Sequence, residues 1–315
     1  MILGAEKMSD EQAKMKANKK RELLEIIFEK WFLFNASIAV ISVIAIGFFV
    51  FYKGLQPFMQ NNSEGTYSFM RFITGTEWRP SDIVSQAKYG ISFMIGASIL
   101  GSFGAIILGV PIGILTAVFI SEIAPKPLQN IVRPAVELLA GIPSVLYGVF
   151  GLGVIVPYIM KISPQAQGQS LLAVIIVLTI MILPTVITIS ENAIRSVPQS
   201  YREGSLGLGA TKIQTIFKVI LPSAKSGILA AVVLGIGRAI GETMAVMLVA
   251  GNPIGGMPSS IWDKVRPLTT NIAMEMGYSF GLHQEMLFST GVVLFVFIIL
   301  INIILTKAVA KMDSK

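Results

Sequence analysis

Arg238 and Glu242 are the residues whose types and spacing best suit chemistry, because both lie in the middle of an apolar stretch from Gly227 to Ala250. Ionisable side chains at the centre of a membrane-spanning helix cost at least ~2.5–3.5 kcal/mol each, so they usually face a cavity or a pathway. A separation of one helical turn predicts that both lie on one helix face. A guanidinium offers a planar fork of donors to an oxyanion. We favour an anion-handling site; the alternative is an ion pair that locks helix packing, beside a Gly237-x-x-x-Gly241 pattern that predicts close approach of another helix.

The other motifs predict no catalysis. Gly277 to Gly281 match G-x-S-x-G and His283 follows, but a serine hydrolase needs this serine on a strand-to-helix elbow, and no strand is predicted here. The chain has no cysteine and one histidine, which excludes disulfides, thiol catalysis and multi-His metal sites within it. It has no G-x-x-x-x-G-K-[ST] segment and therefore no phosphate-cradling P-loop. We expect no catalytic residue, no metal and no cofactor in this chain.

The composition predicts that these residues are positioned by membrane-spanning helices. Of 315 residues, 53% are hydrophobic and only 14% are charged, and the mean hydropathy is +0.72. This much apolar surface cannot be buried in one water-soluble core. No segment alternates polar and apolar residues as a membrane-barrel strand must. The sequence therefore predicts an all-α membrane protein with six spans, at residues 31–52, within 89–120, and at 135–160, 171–190, 227–250 and 286–309.

Charge asymmetry predicts the orientation of these helices. Of the 25 Lys and Arg residues, 17 precede the first span, lie in the loops 121–134 and 191–226, or lie near the C-terminal end, whereas 7 lie on the opposite side. The positive-inside rule therefore places both termini in the cytoplasm. We interpret the net charge of +7 as an orientation signal and not as a nucleic-acid footprint.

The spans and loops predict how the chain is organised. We interpret the N-terminal segment as a solvated tail with an orientation signal; an interfacial helix is the alternative. The outer-loop aromatics Phe69, Phe72 and Trp78 are expected at the membrane interface. In order, the predicted parts are a cytoplasmic N-terminal segment (1–30), the first transmembrane helix (31–52), an outer loop (53–88), a core of five transmembrane helices (89–310) and a cytoplasmic tail (311–315).

The cytoplasmic loop at residues 191–226 is long and strongly patterned. Tyr201 to Leu208 and Thr211 to Val219 are predicted to form two short helices, joined by a turn that Gly209 permits. Pro222 is expected to end the second helix before the fifth span. A helix–turn–helix of this kind suits a groove on a soluble partner. One apolar face is predicted from the helical spacing of Ile213, Ile216, Phe217 and Ile220.

This loop resembles the cytoplasmic coupling motif of ABC-importer permeases. The family form begins Glu-Ala-Ala and ends Ile-x-Leu-Pro, with a glycine at a fixed position between them. This chain has glycine and serine in place of the two alanines and valine in place of the isoleucine, which are small-for-small and aliphatic-for-aliphatic changes. The resemblance implies that the loop docks into a separate ATPase subunit and that Glu203 carries a docking salt bridge. The matching coupling residues are Glu203, Gly204, Ser205, Gly209, Val219, Leu221 and Pro222.

The stretch from Gly237 to Val246 resembles the fifth-helix signature of the phosphate-specific (Pst-type) permeases. Its Met-Ala-Val after Gly-Glu-Thr is similar to the PstC-type subunits, whereas PstA-type subunits tend to have Ala-Pro-Leu there. Residues 75–80, 137–148 and 268–273 also resemble this family, and the resemblance covers residues 31–312. It implies that Arg238, Glu242 and Thr243 belong to the substrate pathway.

The family resemblance implies a type I ABC importer permease with the MetI-like fold. Such a chain pairs with a second, PstA-type permease subunit. It also binds a dimer of ATPase subunits that uses ATP and Mg²⁺, and it receives phosphate from an extracytoplasmic phosphate-binding protein. The chain would then be a transport subunit and not an enzyme, placed in the lipid bilayer of a bacterial cytoplasmic membrane, with no nucleic-acid partner. The implied mechanism is alternating access driven by ATP.

Two alternatives remain open at the level of the sequence. A permease for another oxyanion, such as sulfate or molybdate, fits the coupling motif equally well, and only the fifth-helix signature argues against it. An ATP-independent channel or secondary carrier fits the spans but leaves the 191–226 loop unexplained.

Overall fold

The computed structural model describes residues 2–59, 67–81 and 86–313, with side chains described from residue 24 onward except at 305 and 308–313. The chain separates into two units, residues 1–52 and residues 53–315. Helix α1 (Ile2–Met59) forms all of the described part of the first unit, so the segment expected to be a solvated tail is helical. Its side chains from residue 24 to residue 46 are all exposed.

The second unit is built from helices and one small hairpin-like sheet. Strand β1 (Trp78–Arg79) pairs antiparallel with β2 (Lys88–Tyr89), with Trp78 opposite Tyr89. Single π-helical turns follow α3, α5 and α9, at Phe119–Ile123, Gly151–Ile155 and Ile216–Ile220. The helices in chain order are α2 (Phe69–Thr74), α3 (Ser92–Val118), α4 (Lys126–Gly141), α5 (Ser144–Phe150), α6 (Val156–Ile162), α7 (Leu171–Arg195), α8 (Gln199–Gly207), α9 (Lys212–Thr215), α10 (Leu221–Ser223), α11 (Lys225–Gly241), α12 (Met244–Val249), α13 (Leu268–Glu275) and α14 (Gly281–Asp313).

Several of these helices are long and apolar enough to cross a membrane. Two helical segments, Lys212–Ser223 and Lys225–Gly241, bend by 70° where they meet and give one further span when they are counted together. The all-α prediction is confirmed, and the six predicted spans correspond to these stretches. Among the described residues the five unbent spans are Leu24–Met59, Ser92–Ile123, Ser144–Ile162, Leu171–Arg195 and Gly281–Ile304.

Helices α3 and α7 pack closely because α3 presents glycines to the branched side chains of α7. A Cβ atom added to Gly109 would lie 2.7 Å from the side chain of Ile182, and one added to Gly113 would lie 2.7 Å from Val186. Such distances are shorter than van der Waals contact, so any larger residue would push the helices apart. α7 is the most buried span and forms the centre of the unit.

The third span differs from the prediction, which placed it at 135–160. Residues 126–141 form the separate helix α4, and the spanning stretch begins only at Ser144, after a break at Ile142 and Pro143. A proline disfavours helical backbone at the preceding residue, and Ile142 is accordingly extended. The hydroxyl of Tyr147 donates to the carbonyl of Leu139 at 2.7 Å and so ties the two helices together across the break.

The fifth span also differs from the prediction of one continuous helix over 227–250. α11 ends at Gly241, Glu242 has extended backbone (φ −71°, ψ 131°), and α12 restarts at Met244. The break therefore falls within the segment that contains the two ionisable residues. α12 packs against α5 so closely that a Cβ added to Gly148 would lie 2.8 Å from the Cα of Ala245.

The segment between α12 and α14 folds back toward this break. The amide of Val265 donates to the carbonyl of Ala250, and the amide of Leu171 donates to the carbonyl of Asp263. α13 follows, and its Leu268, Thr269, Thr270 and Asn271 are all buried. The amide of Leu268 donates to the hydroxyl of Ser98 on α3 at 3.0 Å. A stretch expected to be an outer loop is thus a packed element of the core.

Candidate functional site

The guanidinium of Arg238 lies in the last turn of α11 and is half-buried. Its Nη1 donates to Oγ1 of Thr185 on α7 at 3.1 Å. A guanidinium has five N–H donors, and those on Nε and Nη2 make no hydrogen bond to any described residue. The side chain is partly exposed, so these donors remain to bind an anion.

Glu242 lies beside Arg238 in the sequence but does not pair with it. Its carboxylate accepts a hydrogen bond from the amide of Ala245 at 3.0 Å and so caps the N-terminus of α12. No ion pair joins it to Arg238 among the described residues. Since α11 ends at Gly241, the prediction that both side chains lie on one helix face is wrong, and so is the alternative of an intrahelical ion pair.

Threonine hydroxyls satisfy the backbone at the break. Thr243 is half-buried and donates to the carbonyl of Gly241 at 3.3 Å. Thr269, from α13, donates to the carbonyl of Glu242 at 3.1 Å. Helix ends within a span need such partners because lipid offers none. Sequence reasoning missed both Thr185 and Thr269, although Thr269 lies in the 268–273 stretch that carried part of the resemblance.

A small cavity of about 10 Å³ lies against the break. It is lined by hydroxyl and carboxylate groups as well as apolar side chains, and this volume is about the smallest that holds one water molecule. The polar lining residues are Ser98, Ser102, Glu242 and Thr269.

Gly237 and Gly241 face open space. A Cβ added to either would meet no atom within 4 Å, and both residues are exposed together with Leu234. The close approach predicted from Gly237-x-x-x-Gly241 therefore does not occur within the described part of this chain. The face of α11 next to Arg238 is left uncovered.

The coupling loop forms the predicted pair of short helices. Glu203 and Gly204 lie on α8 and are exposed, and the carboxylate of Glu203 makes no hydrogen bond or ion pair to the described residues. The hydroxyls of Ser205 and Thr215 are 2.9 Å apart and join the two helices. Gly209 has φ +86°, in the left-handed region that favours glycine, and so makes the turn between them.

The predicted single apolar face of the second helix is divided in two. Ile216 and Ile220 are 2% and 1% exposed and pack under the loop, whereas Ile213 and Phe217 are 68% and 51% exposed. Leu208, at 91% exposed, extends this surface at the turn. We call the exposed set the docking patch; it consists of Tyr201, Leu206, Leu208, Ile213 and Phe217.

The end of the coupling motif bends the chain into the fifth span. Pro222 has no N–H to donate to the carbonyl four residues earlier, and the preceding turn is π-helical, with the amide of Leu221 donating to the carbonyl of Ile216. Val219 accepts a hydrogen bond from the Ser223 hydroxyl at 2.7 Å. The helix ends at Ser223, one residue beyond the proline that was expected to end it.

A second ionisable cluster lies on the side of the chain that is predicted to be outer. Glu275 accepts hydrogen bonds from Nε1 of Trp78 at 2.7 Å and from Arg266, and its Oε2 lies 2.7 Å from Nε2 of His283. Trp78 is fully buried, and so is Phe72, so their expected interfacial position is wrong; Phe69 is exposed. The Ser279 hydroxyl donates to the carbonyl of Met276, so no serine–histidine pair forms. We call Trp78, Arg266, Glu275 and His283 the outer cluster.

Three groups outside the spans have shifted pKa values. A hydrogen bond from Lys88 and its charge lower the pKa of Glu77. Hydrogen bonds from the backbone of Ser259 and from the side chain of Gln165 lower the pKa of Asp263. Burial, followed by the nearby Glu275 carboxylate, raises the pKa of Tyr278.

Comparison with known families and relatives gives consistent matches over most of the chain. Residues 109–314 match the family described as "binding-protein-dependent transport system inner membrane component". The chain is 41% identical, over 96% of its length and 97% of the relative's, to the probable ABC transporter permease protein YqgH of Bacillus subtilis (strain 168). It is 32% identical, over 81% of its length and 83% of the relative's, to the phosphate transport system permease protein PstC of Pasteurella multocida (strain Pm70).

Solved structures show the same fold at lower identity. A chain of a bacterial ABC transporter involved in the import of the acidic polysaccharide alginate matches with a TM-score of 0.61 at 18% identity, covering 92% of this chain and 99% of that one. A chain of the MetNI methionine ABC transporter, in inward-facing conformations, matches with a TM-score of 0.53 at 21% identity, covering 71% and 94%. The predicted MetI-like permease fold is therefore confirmed.

Proposed function

The chain belongs to the family of binding-protein-dependent transport system inner membrane components, and from this premise we propose that it is the PstC-type permease subunit of an ATP-driven importer of inorganic phosphate. It is a transport subunit and not an enzyme. The substrate is supported by relatives named as phosphate transport permeases, which match about four fifths of the chain at 32–33% identity.

The observation that carries the proposal is the set of free donors on Arg238. The guanidinium is held by Thr185 at the point where the fifth span breaks, and its Nε and Nη2 donors make no hydrogen bond to a described residue. Phosphate is a tetrahedral oxyanion, and a guanidinium binds two of its oxygens at once. Glu242 is occupied at the N-terminus of α12 and does not neutralise the arginine by direct contact. The substrate-pathway residues are Arg238, Glu242 and Thr243.

The coupling loop is the second part of the proposal. The docking patch exposes apolar side chains beside the unpaired carboxylate of Glu203. A separate ATPase subunit that offers an apolar groove with a cation at its rim would cover both. The coupling residues are then Glu203, Gly204 and Ser205 on α8, Gly209 at the turn, and Val219, Leu221 and Pro222 at the bend.

The proposed assembly follows from these two surfaces. A second permease subunit of the PstA type covers the exposed face of α11, a dimer of ATPase subunits binds ATP and Mg²⁺ below, and a phosphate-binding protein docks outside. Both termini lie in the cytoplasm, and the membrane is the bacterial cytoplasmic membrane. In this arrangement the chain consists of a cytoplasmic segment (1–30), the first span (31–52), an outer loop (53–88), the permease core (89–310) and a cytoplasmic tail (311–315).

The test is uptake by the assembled importer in proteoliposomes. The chain is purified with its second permease and ATPase, and uptake of radiolabelled phosphate is measured with the loaded binding protein and ATP. We expect ATP-dependent uptake that excess sulfate or molybdate does not inhibit. Uptake without ATP or ATPase would overturn the importer assignment, and inhibition by sulfate or molybdate would overturn the substrate.

A pull-down tests the coupling surface separately. We expect the ATPase to co-purify with the unmodified chain and to be lost from Glu203→Lys, because reversal of an exposed charge places like charges at the interface. Lys212→Glu is the matched control, since it reverses another exposed charge of the same loop. Equal loss from both variants would show that Glu203 has no particular role in docking.

A further inference from the structure

Arg202 precedes the coupling glutamate but has the opposite environment. Its side chain is 16% exposed, and it bonds to Glu122, whose side chain is 10% exposed, with Nη2 to Oε1 at 2.6 Å and Nε to Oε1 at 3.2 Å. Nη1 donates to the carbonyl of Val197 at 2.7 Å, and Nη2 donates to the carbonyl of Ile194 at 3.0 Å. One guanidinium thus holds one carboxylate and two carbonyls.

These contacts join three separate elements. Arg202 is on α8 of the coupling loop, Glu122 is in the π-helical turn that ends α3, and the two carbonyls lie at and just after the end of α7. A cation at a helix C-terminus also interacts favourably with the helix dipole. Arg202 therefore fixes the position of α8 relative to both long spans.

An apolar cluster reinforces the same junction. It contains Val118 from the end of α3, Ile194 from α7, and Ile216 and Ile220 from the second half of the coupling loop. All four are at most 3% exposed. Packed interiors have low compressibility and transmit strain. The loop and the ends of α3 and α7 are therefore expected to move together as one unit.

α7 extends this unit to the candidate site. The same uninterrupted helix that Arg202 caps at its C-terminal end carries Thr185, which binds Arg238. Displacement of the coupling loop would therefore move Thr185 and the guanidinium that it holds. Neither the coupling motif nor the fifth-helix signature includes Arg202 or Glu122.

We propose that Arg202, with Glu122, is the positioning pair that transmits movement of the ATPase-bound coupling loop to α3 and α7 and thereby to Arg238. This role rests on the proposed importer function. Arg202 itself touches neither ATPase nor substrate. It needs an arginine, because a lysine ammonium is a point charge on a flexible stem and cannot hold a carboxylate and two carbonyls in one fixed geometry.

The first test separates ATP hydrolysis from transport in the reconstituted importer. For Arg202→Lys we expect the ATPase to co-purify and hydrolyse ATP within about twofold of the unmodified complex, while phosphate imported per ATP falls about tenfold, as loss of a charge-assisted hydrogen bond implies. Glu122→Gln should lower the same ratio. Arg195→Lys is the control, since Arg195 is 40% exposed and, among the described residues, its side chain bonds only to Glu191 and Gln129. The phosphate imported per ATP should stay unchanged in this variant.

The second test measures rigidity directly. The chain has no cysteine, so Ser200→Cys on α8 and Ile123→Cys at the end of α3 can carry spin labels at two exposed positions. The labelled chain is assembled with unlabelled partners. We expect one narrow distance distribution, equal with and without ATP, and a broadened distribution when Arg202→Lys is added.

The outcomes separate this proposal from the proposed function. If the unmodified complex binds no ATPase or imports no phosphate, the proposed function fails. Suppose that the unmodified complex is active. The transmission role is then overturned if both Arg202→Lys and Glu122→Gln keep the amount of phosphate imported per ATP, or if Arg202→Lys keeps the narrow distribution of spin-label distances. Loss of ATPase binding by folded Arg202→Lys would also overturn it, since Arg202 would then belong to the docking surface. If Arg202→Lys does not fold, Glu122→Gln decides alone.

Discussion

The outer cluster and the break around Arg238 both contain an arginine and a glutamate, but their surroundings are opposite. In the outer cluster Arg266 pairs directly with Glu275, and their side chains are only 3% and 8% exposed. Trp78 and His283 contact the second oxygen of the Glu275 carboxylate. At the break Arg238 and Glu242 are half-buried and do not pair, and the arginine keeps free donors.

This difference indicates different roles. A buried charge that is paired with a carboxylate holds elements together. The Nε of Arg266 makes no hydrogen bond to a described residue, but it is buried and is not presented at a surface. A partly exposed charge that is held by one hydroxyl at a helix break within the predicted span is costly, and a substrate pathway would explain it. The outer cluster therefore joins β1 to the segment around α13, while the break leaves donors on a partly exposed cation, as the proposed substrate pathway requires.

Glu275→Ala should have the largest effect, and it acts on stability. It leaves Arg266 buried without its carboxylate, and breaking a buried pair in this way costs about 3–5 kcal/mol. We expect a clear fall in the melting temperature of the purified protein and in its yield. Glu77→Ala, which removes the exposed partner of Lys88, is the control and should change the melting temperature little. A Glu275→Ala protein that melts normally but no longer transports would give the outer cluster a functional role.

Arg238→Ala should act on transport and leave stability nearly unchanged. Removing a preorganised donor to an oxyanion lowers rates by on the order of 100-fold, and we expect a comparable loss of phosphate uptake. Arg238→Lys should recover only part, because an ammonium cannot bind two oxygens as a fork. The melting temperature serves as the control. Uptake at the normal rate in Arg238→Ala would remove the break from the substrate pathway. A large fall in the melting temperature of this variant would show that Arg238, like the outer cluster, stabilises the fold.

Much of this fold could be predicted from the sequence because lipid imposes simple rules. Lengths of apolar sequence located the spans, and the spacing of Glu203, Gly209 and Pro222 located the coupling loop and its turn. The helix break at Glu242 could not be predicted, because Gly241-Glu242-Thr243 contains no proline and the apolar pattern continues through it. The break is stabilised by a partner that is distant in sequence, the hydroxyl of Thr269, together with the local bond from the amide of Ala245 to the Glu242 carboxylate.

The same limitation explains the errors on the outer side. Trp78 was expected at the interface because aromatic residues are enriched there, but its indole is buried and bonds to Glu275, nearly two hundred residues away. Arg202 and Glu122 are likewise far apart in the chain. Pairing of charges between distant segments leaves no local pattern in the sequence. Sequence reasoning therefore located the coupling loop and the region around Arg238, but not the side-chain contacts that connect them.

Thr185 allows a finer test of the region around the break. Thr185→Val removes the hydroxyl that accepts from Arg238 but keeps the branched shape, so we expect phosphate uptake to fall about tenfold, as loss of one hydrogen bond to a charged group implies. Thr185→Ser keeps the hydroxyl and should retain most of the uptake. The informative measurement is uptake against phosphate concentration with stability checked by melting. Equal uptake by the two variants would show that Arg238 is positioned by something else.

The smallest effect is expected at Asp263, whose carboxylate bonds to no member of the outer cluster among the described residues. Its carboxylate accepts hydrogen bonds from the amides of Ser259 and Ser260, each at 2.8 Å, and from Gln165 at 3.1 Å, and these bonds lower its pKa. A lowered pKa stabilises the folded state above the ordinary carboxyl value, and the stabilisation is lost as the pH falls through the folded value. Asp263→Asn should therefore lower the melting temperature by roughly 2 °C at pH 7, with the difference narrowing below the ordinary carboxyl pKa of 3.8. A difference that stays constant with pH would mean that the shape of the loop, and not the charge, is what Asp263 contributes.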